Sequence, residues 1–145
     1  MPHTSAAFVI DVQEPRALGF EEQTGVEYGA LRLAKTYTGA IDGTSAQEML
    51  YTRTAGADTS YAGAGYVALE RISGTVDGHS GSFALLHIST VVGNDPPLSR
   101  YLISPGSGTG ALAGISGVAL ITIDDEGAHV LHLDYELGAS PGTLE

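Results

Sequence analysis

Residues 66–87 read YVALERISGTVDGHSGSFALLH, and this stretch decides the fold. Two runs rich in β-branched, aromatic and aliphatic residues flank Asp77-Gly78. Asp-Gly is the pair that a two-residue type I′ hairpin prefers, because both central residues take positive φ. With Asp77 and Gly78 at the centre, Val76 faces His79, Ile72 faces Phe83, Glu70 faces Leu85 and Ala68 faces His87. Glu70 and His87 then become diagonal neighbours on one face, roughly 7 Å apart at Cβ. Gly74 would pair with Gly81, a natural place for a bulge, and a one-residue slip there would move His87 to the other face. One face of this hairpin carries Tyr66, Ala68, Glu70, Ile72, Phe83, Leu85 and His87. The other carries Val67, Leu69, Arg71, Ser73, Ser82, Ala84, Leu86 and Ile88. The first is read as interior, because it holds the aromatic bulk while Arg71, Ser73 and Ser82 prefer water. The apolar part of the second face is then available as a subunit contact.

The same alternation extends outward along the chain. Short β runs are expected at 6–12, 28–39, 46–53, 64–76, 79–92, 99–104, 118–123 and 128–136. Solvated or glycine-rich connections are expected at 13–27, 54–63 and 105–117, and a break at Asn94-Asp95-Pro96-Pro97. A second Asp-Gly, Asp42-Gly43, is read as another hairpin turn, which places Tyr37 opposite Glu48 and Lys35 beside Glu48 on one face. In the last run His129, Leu131, Leu133 and Tyr135 form the apolar face. No segment sustains a 3.6-residue apolar period. The expectation is therefore an all-β chain, a single closed antiparallel barrel of about eight strands and lipocalin-like shape. A barrel of that size is filled by side chains or holds one small ligand. The whole chain, 1–145, is read as one domain, with 5–137 as its ordered core and 138–145 as a tail.

Composition narrows the function. The 145 residues include 6 Lys+Arg against 17 Asp+Glu, a net charge of −11. Nucleic-acid binding and docking on anionic membranes both require basic surface and are not expected. The absence of Cys excludes thiol catalysis, thiolate zinc sites and disulfides. Without an apolar stretch of about 18 residues or a secretory leader pattern, the expected location is cytoplasmic. Among the five histidines, His129 and His132 lie on opposite faces of a strand, so no metal site is expected, and no cofactor is implied. The serine-bearing glycine stretches never complete a nucleophile elbow. Gly106-Ser107-Gly108-Thr109-Gly110 lacks the Lys-Ser/Thr ending of a phosphate loop.

The chemistry-bearing residues on the expected inner face are Lys35, Glu48, Glu70, Tyr66 and His87. Charged groups inside a fold are costly unless paired or wet. A Glu in an apolar cavity has its pKa raised toward the range useful for proton transfer, and a neighbouring His can share the proton. Three readings stand side by side: an acid–base pair, Glu70 with His87; two mutually satisfied structural pairs, Lys35–Glu48 and Glu70–His87; or surface groups, if the face assignment is inverted. On the catalytic reading Glu48 is a second carboxylate held by Lys35, Tyr66 and Tyr135 orient substrate, and Tyr37, Phe83 and Leu85 line the cavity.

The stretch GSGTGALAGISG (106–117), followed by a strand, resembles the glycine signature of allene oxide cyclases and dirigent proteins. Gly108, Thr109, Gly110, Gly114 and Gly117 match it, and Leu112 stands where those families carry Phe. Together with LAKTYTGAIDGTS (33–45), YVALERISGTVDGHSGSFALLH (66–87), SPGSGTGALAGISG (104–117) and LDYEL (133–137), the chain more closely resembles an uncharacterised bacterial family with an allene-oxide-cyclase-like barrel. The resemblance implies an eight-stranded barrel that is a homodimer or homotrimer. It also implies polar residues at the positions of Arg71 and Leu86, from which this chain departs at Leu86. Allene oxide cyclases close an unstable fatty-acid epoxide chiefly by shaping an apolar cavity. The expected function is thus a cofactor-independent enzyme catalysing isomerisation, cyclisation or elimination on a small, mostly apolar metabolite. The alternatives are a non-catalytic module that binds a small hydrophobic ligand, and a filled barrel with a structural role.

Overall fold

In the computed structural model, which describes residues 2–19, 25–55 and 61–138, eight antiparallel strands follow one another around a closed barrel. They are β1 (His3–Arg16), β2 (Val26–Gly39), β3 (Ile41–Ala55), β4 (Tyr61–Val76), β5 (His79–Val92), β6 (Leu98–Ile103), β7 (Ile115–Ile123) and β8 (His129–Leu137). Every strand pairs with its neighbours in sequence, and β1 closes onto β8 from His3↔Asp134 to Phe8↔His129. Closure gives every strand a neighbour on both sides, although β6 and β7 meet over only Tyr101↔Ala119 and Leu102↔Val118. The only helical element among the described residues is one 3₁₀ turn, Gly110–Leu112, whose Leu112 is buried. The expected connections at 13–27 and 54–63 prove shorter, because β1 runs on to Arg16 and β3 to Ala55. Residues 20–24, 56–60 and 139–145, and with them most of the expected tail, lie outside the described residues.

The β4–β5 hairpin forms in the expected register. Val76 pairs with His79, Ile72 with Phe83, Glu70 with Leu85 and Ala68 with His87, and no bulge intervenes at Gly74 and Gly81. Asp77 and Gly78 both take positive φ, 49° and 86°, as a type I′ turn requires.

The second Asp-Gly behaves differently. Asp42-Gly43 is no turn. β2 and β3 connect at Ala40, so Lys35 pairs with Ser45, Tyr37 with Gly43 and Arg32 with Glu48. Gly43 is needed for another reason. It packs against Gly74 across β3–β4, where a Cβ at either residue would lie 2.0–2.1 Å from the opposite backbone oxygen. Only glycine permits that approach. The consequence is a shift of β3 relative to the sequence reading, which sends Glu48 to the outer face and brings Ser45 and Gln47 inside.

Alternation then fills the interior. At the end where the β2–β3 and β4–β5 turns lie, Ile41, Ile72, Val76, Phe83, Leu112 and Ile115 pack with Leu133 and Tyr135 into a solid core. Tyr37 and Leu85 belong to the same core. The other end, toward the β5–β6 and β7–β8 connections, is not filled.

Candidate functional site

At the boundary between the packed and the hollow half sits Glu70, with no solvent exposure. Four donors from three other strands converge on its carboxylate. Tyr37 and Ser45 each donate a hydroxyl to Oε2 at 2.6 Å. Lys35 Nζ donates to Oε1 at 3.2 Å, and His87 Nε2 bonds the same oxygen at 2.9 Å. Burial pushes the carboxyl upward, but the His87, Lys35, Ser45 and Tyr37 contacts outweigh it and hold the group at about 2. The expectation that an apolar surround would raise Glu70 toward neutrality is therefore overturned. A buried carboxylate with this many donors stays ionised. Its neighbours respond accordingly. Burial draws the Lys35 ammonium downward against the pull of Glu70. Burial, reinforced by the negative charge of Glu70, drives the Tyr37 phenol far upward. Lys35 Nζ also lies 4.7 Å from the centre of the Phe8 ring, a cation–π contact.

Above this cluster lies a cavity of about 240 Å³. Its apolar wall comes from Phe8, Ile10, Leu33, Met49 and Ile121, and its polar wall from Lys35, Gln47, Tyr66, His87, Tyr101 and His129. Pairing between β5 and β6 puts Tyr101 directly opposite His87, and their rings meet edge to face at 5.1 Å. Burial, together with Tyr101, raises the Tyr66 phenol. Two buried polar atoms have no partner among the described residues, Gln47 Oε1 and His87 Nδ1, and both belong to residues of this wall.

The tautomer of His87 follows from the network. An ionised Glu70 accepts, so Nε2 carries the proton between them, and in the neutral ring the lone pair is left on Nδ1. Glu70 thus orients the imidazole as a carboxylate orients a catalytic histidine. Its own oxygens are fully engaged, which leaves it no part as a proton carrier.

Of the residues singled out from the sequence, Lys35, Tyr66 and His87 line the cavity, and Glu70 and Tyr37 sit beneath it. The other assignments need correction. Glu48 is on the outer surface, where it pairs with Arg16 at 2.7 Å and Arg32 at 2.8 Å, because the β2–β3 turn is not at Asp42-Gly43. Lys35 accordingly pairs with Glu70, not Glu48. Phe83 and Leu85 point into the packed half and do not line the cavity. Tyr135 is at that end too, and its hydroxyl donates to Asp77 Oδ2 at 2.5 Å while Thr4 donates to Oδ1 at 2.9 Å. Burial and Asp77 push the Tyr135 phenol up to about 12. This tyrosine fastens β8 to the β4–β5 turn. Ser45 and Gln47 were missed through the misplaced turn. Tyr101 was not singled out, because the register that sets it opposite His87 is fixed only where β5 and β6 pair in the barrel. Among the described residues no three His, Asp or Glu side chains converge as metal ligands would. No described helix is long and apolar enough to cross a membrane.

Comparison with known proteins places this architecture. The chain is similar to a crystal structure of a protein with unknown function from the DUF3224 family of Shewanella oneidensis MR-1, at 29% identity and a TM-score of 0.83, over 96% of this chain and 99% of that one. No curated protein matches it. A family model described as protein of unknown function (DUF3224) matches residues 4–135, nearly the whole barrel, and the chain belongs to that family.

Proposed function

We propose that the barrel is a cofactor-independent catalyst of proton transfer, an isomerase, cyclase or lyase for a small, mostly apolar compound, with His87 as its general base. One observation carries the reading: a buried imidazole whose Nε2 is tied to an ionised carboxylate, whose Nδ1 has no protein partner, and whose ring forms part of a cavity wall. Glu70 is the positioning residue, and Lys35 supplies the positive charge that keeps Glu70 ionised. Tyr66 and Tyr101 are the phenols placed to donate to an oxygen on the substrate. The cavity, about 240 Å³, lies below the ~300–1,000 Å³ of drug-sized sites, which limits the occupant to a small molecule.

The test uses nitrobenzisoxazole, a compact aromatic whose ring opening needs only a base. The base takes the ring C–H proton, that electron pair completes a nitrile, and the N–O bond breaks to release a coloured phenolate. Histidine 87 is thereby protonated and returns its proton to water. The wild-type chain is expected to open the ring about 100-fold or more faster than His87→Gln, the usual range for a positioned general base. Equal rates would sink the assignment.

A non-catalytic binding module is the second reading. It is favoured by Gln47 Oε1, a second unpartnered buried acceptor in the same wall, which a bound ligand's donor would satisfy. On that reading the probe protects the fold against denaturant and is recovered unchanged after long incubation.

A further inference from the structure

The outer face of the barrel is polarised. Across β4, β5, β6 and β7 the register aligns Leu69, Leu86, Leu102 and Val118 in one row. Beside it Leu50, Val67 and Ile88 align across β3, β4 and β5, with Leu120 on β7 continuing that row beyond Arg100. These eight side chains are 40% to 54% exposed and present roughly 650 Å² of surface, more than the ~300–600 Å² of the largest apolar patch on a typical monomer. Arg71 and Arg100 stand within the patch and add enough to reach the ~800 Å² that each partner contributes to a standard interface.

The charged groups around this patch fall into two sets. Arg16, Arg32 and Arg53 all have carboxylate partners. Arg71 and Arg100 have no ion pair among the described residues, in a chain whose acidic residues outnumber its basic ones 17 to 6. The long row ends in a carboxylate on either side, Glu48 opposite Leu69 and Asp134 opposite Val118, the first already held by Arg16 and Arg32 and the second by His3. A second copy of this chain offers what the leucines need, an equal apolar patch.

We propose that this protein is a homodimer joined through the outer faces of β4–β7, with Leu86 and Leu102 near the centre of the contact. A two-fold interface uses one self-complementary patch, whereas a ring of three needs two different complementary surfaces. Only one patch of sufficient size exists among the described residues; the outer apolar groups of β1 are just Val9 and Val12. The proposal does not depend on any activity of the cavity.

Sedimentation equilibrium of the full chain tests it. At about 10 µM the wild type is expected to sediment at twice the chain mass. Leu86→Glu and Leu102→Glu each put two carboxylates into a two-fold contact, and each is expected to raise the dissociation constant about 100-fold or more. Both positions face solvent in the monomer, so the circular dichroism spectrum should be unchanged. A wild type that is a monomer or a trimer overturns the proposal. So does a dimer whose dissociation constant moves less than about tenfold in both variants, because that places the interface elsewhere.

Discussion

Replacing Glu70 by Gln removes the one negative charge at the centre of the barrel while leaving its volume almost unchanged. Lys35 then becomes a buried cation without a counter-ion. The amide also brings two N–H donors to a point where four donors already converge. Breaking a buried pair by removing one partner costs about 3–5 kcal/mol. The acid limb offers an independent figure. The Glu70 carboxyl falls from 4.5 to about 2 on folding, and at about 1.4 kcal/mol per pKa unit this is worth about 3 kcal/mol. Because the folded value is the lower one, that stability is fully present above the unfolded value and is lost as pH falls through the window down to about 2. Urea titrations of wild type and Glu70→Gln between pH 7 and pH 3 read it directly. At pH 7 the variant should be less stable by about 3–5 kcal/mol. The gap should narrow by about 2 kcal/mol at pH 3, because only the wild type has at this position a carboxyl that gains a proton on unfolding there. Taking the difference removes the titration of other acidic groups common to both. A gap under about 1 kcal/mol at neutrality, or one that does not change with pH, would refute the ionised hub.

Three other substitutions separate the site from its surroundings. Tyr37→Phe deletes one 2.6 Å hydrogen bond to an ionised acceptor and should cost about 1.5–3 kcal/mol in urea unfolding at neutrality, with a shallower loss in acid than the wild type shows, because the folded Glu70 then titrates nearer its unfolded value. Glu48→Gln affects an exposed pair with Arg16 and Arg32. It should change stability by less than about 1 kcal/mol and leave probe turnover untouched, so a large loss of turnover would restore this carboxylate to the site. Gly74→Ala puts a Cβ 2.0 Å from Asp42 O, at φ 150°, and should cost about 3 kcal/mol or more; a normal melting temperature would show that the β3–β4 contact relaxes freely.

Much of the fold was legible because its signals are local. A type I′ turn needs two residues with positive φ, Asp77-Gly78 supplies them, and the register of β4–β5 then follows by counting. Alternation over Ala68, Glu70, Ile72, Phe83, Leu85 and His87 chose the inner face, since a period of two leaves no third option. Glu70 and His87 could be brought together on paper for that reason alone.

Asp42-Gly43 offered the same dipeptide and the opposite lesson. Its glycine serves a contact with Gly74, a residue 31 positions away, and no local rule distinguishes a glycine that turns the chain from one that lets two strands touch. That single difference moved Glu48 outside and Ser45 and Gln47 inside. The ionisation of Glu70 was likewise beyond sequence. Burial alone would raise its pKa; Lys35, Tyr37, Ser45 and His87 reverse the sign, and they come from three strands whose side chains meet only when the barrel closes. Which half of the interior is solid and which is hollow was decided in the same way, by how Leu112 and Tyr135 fill one end. The sequence by itself determined the strands, the hairpin and the inward-facing pair, because period and turn chemistry act over a few residues. The tertiary structure decided the charge state and partners of that pair, because electrostatic balance depends on distances between strands remote in the chain.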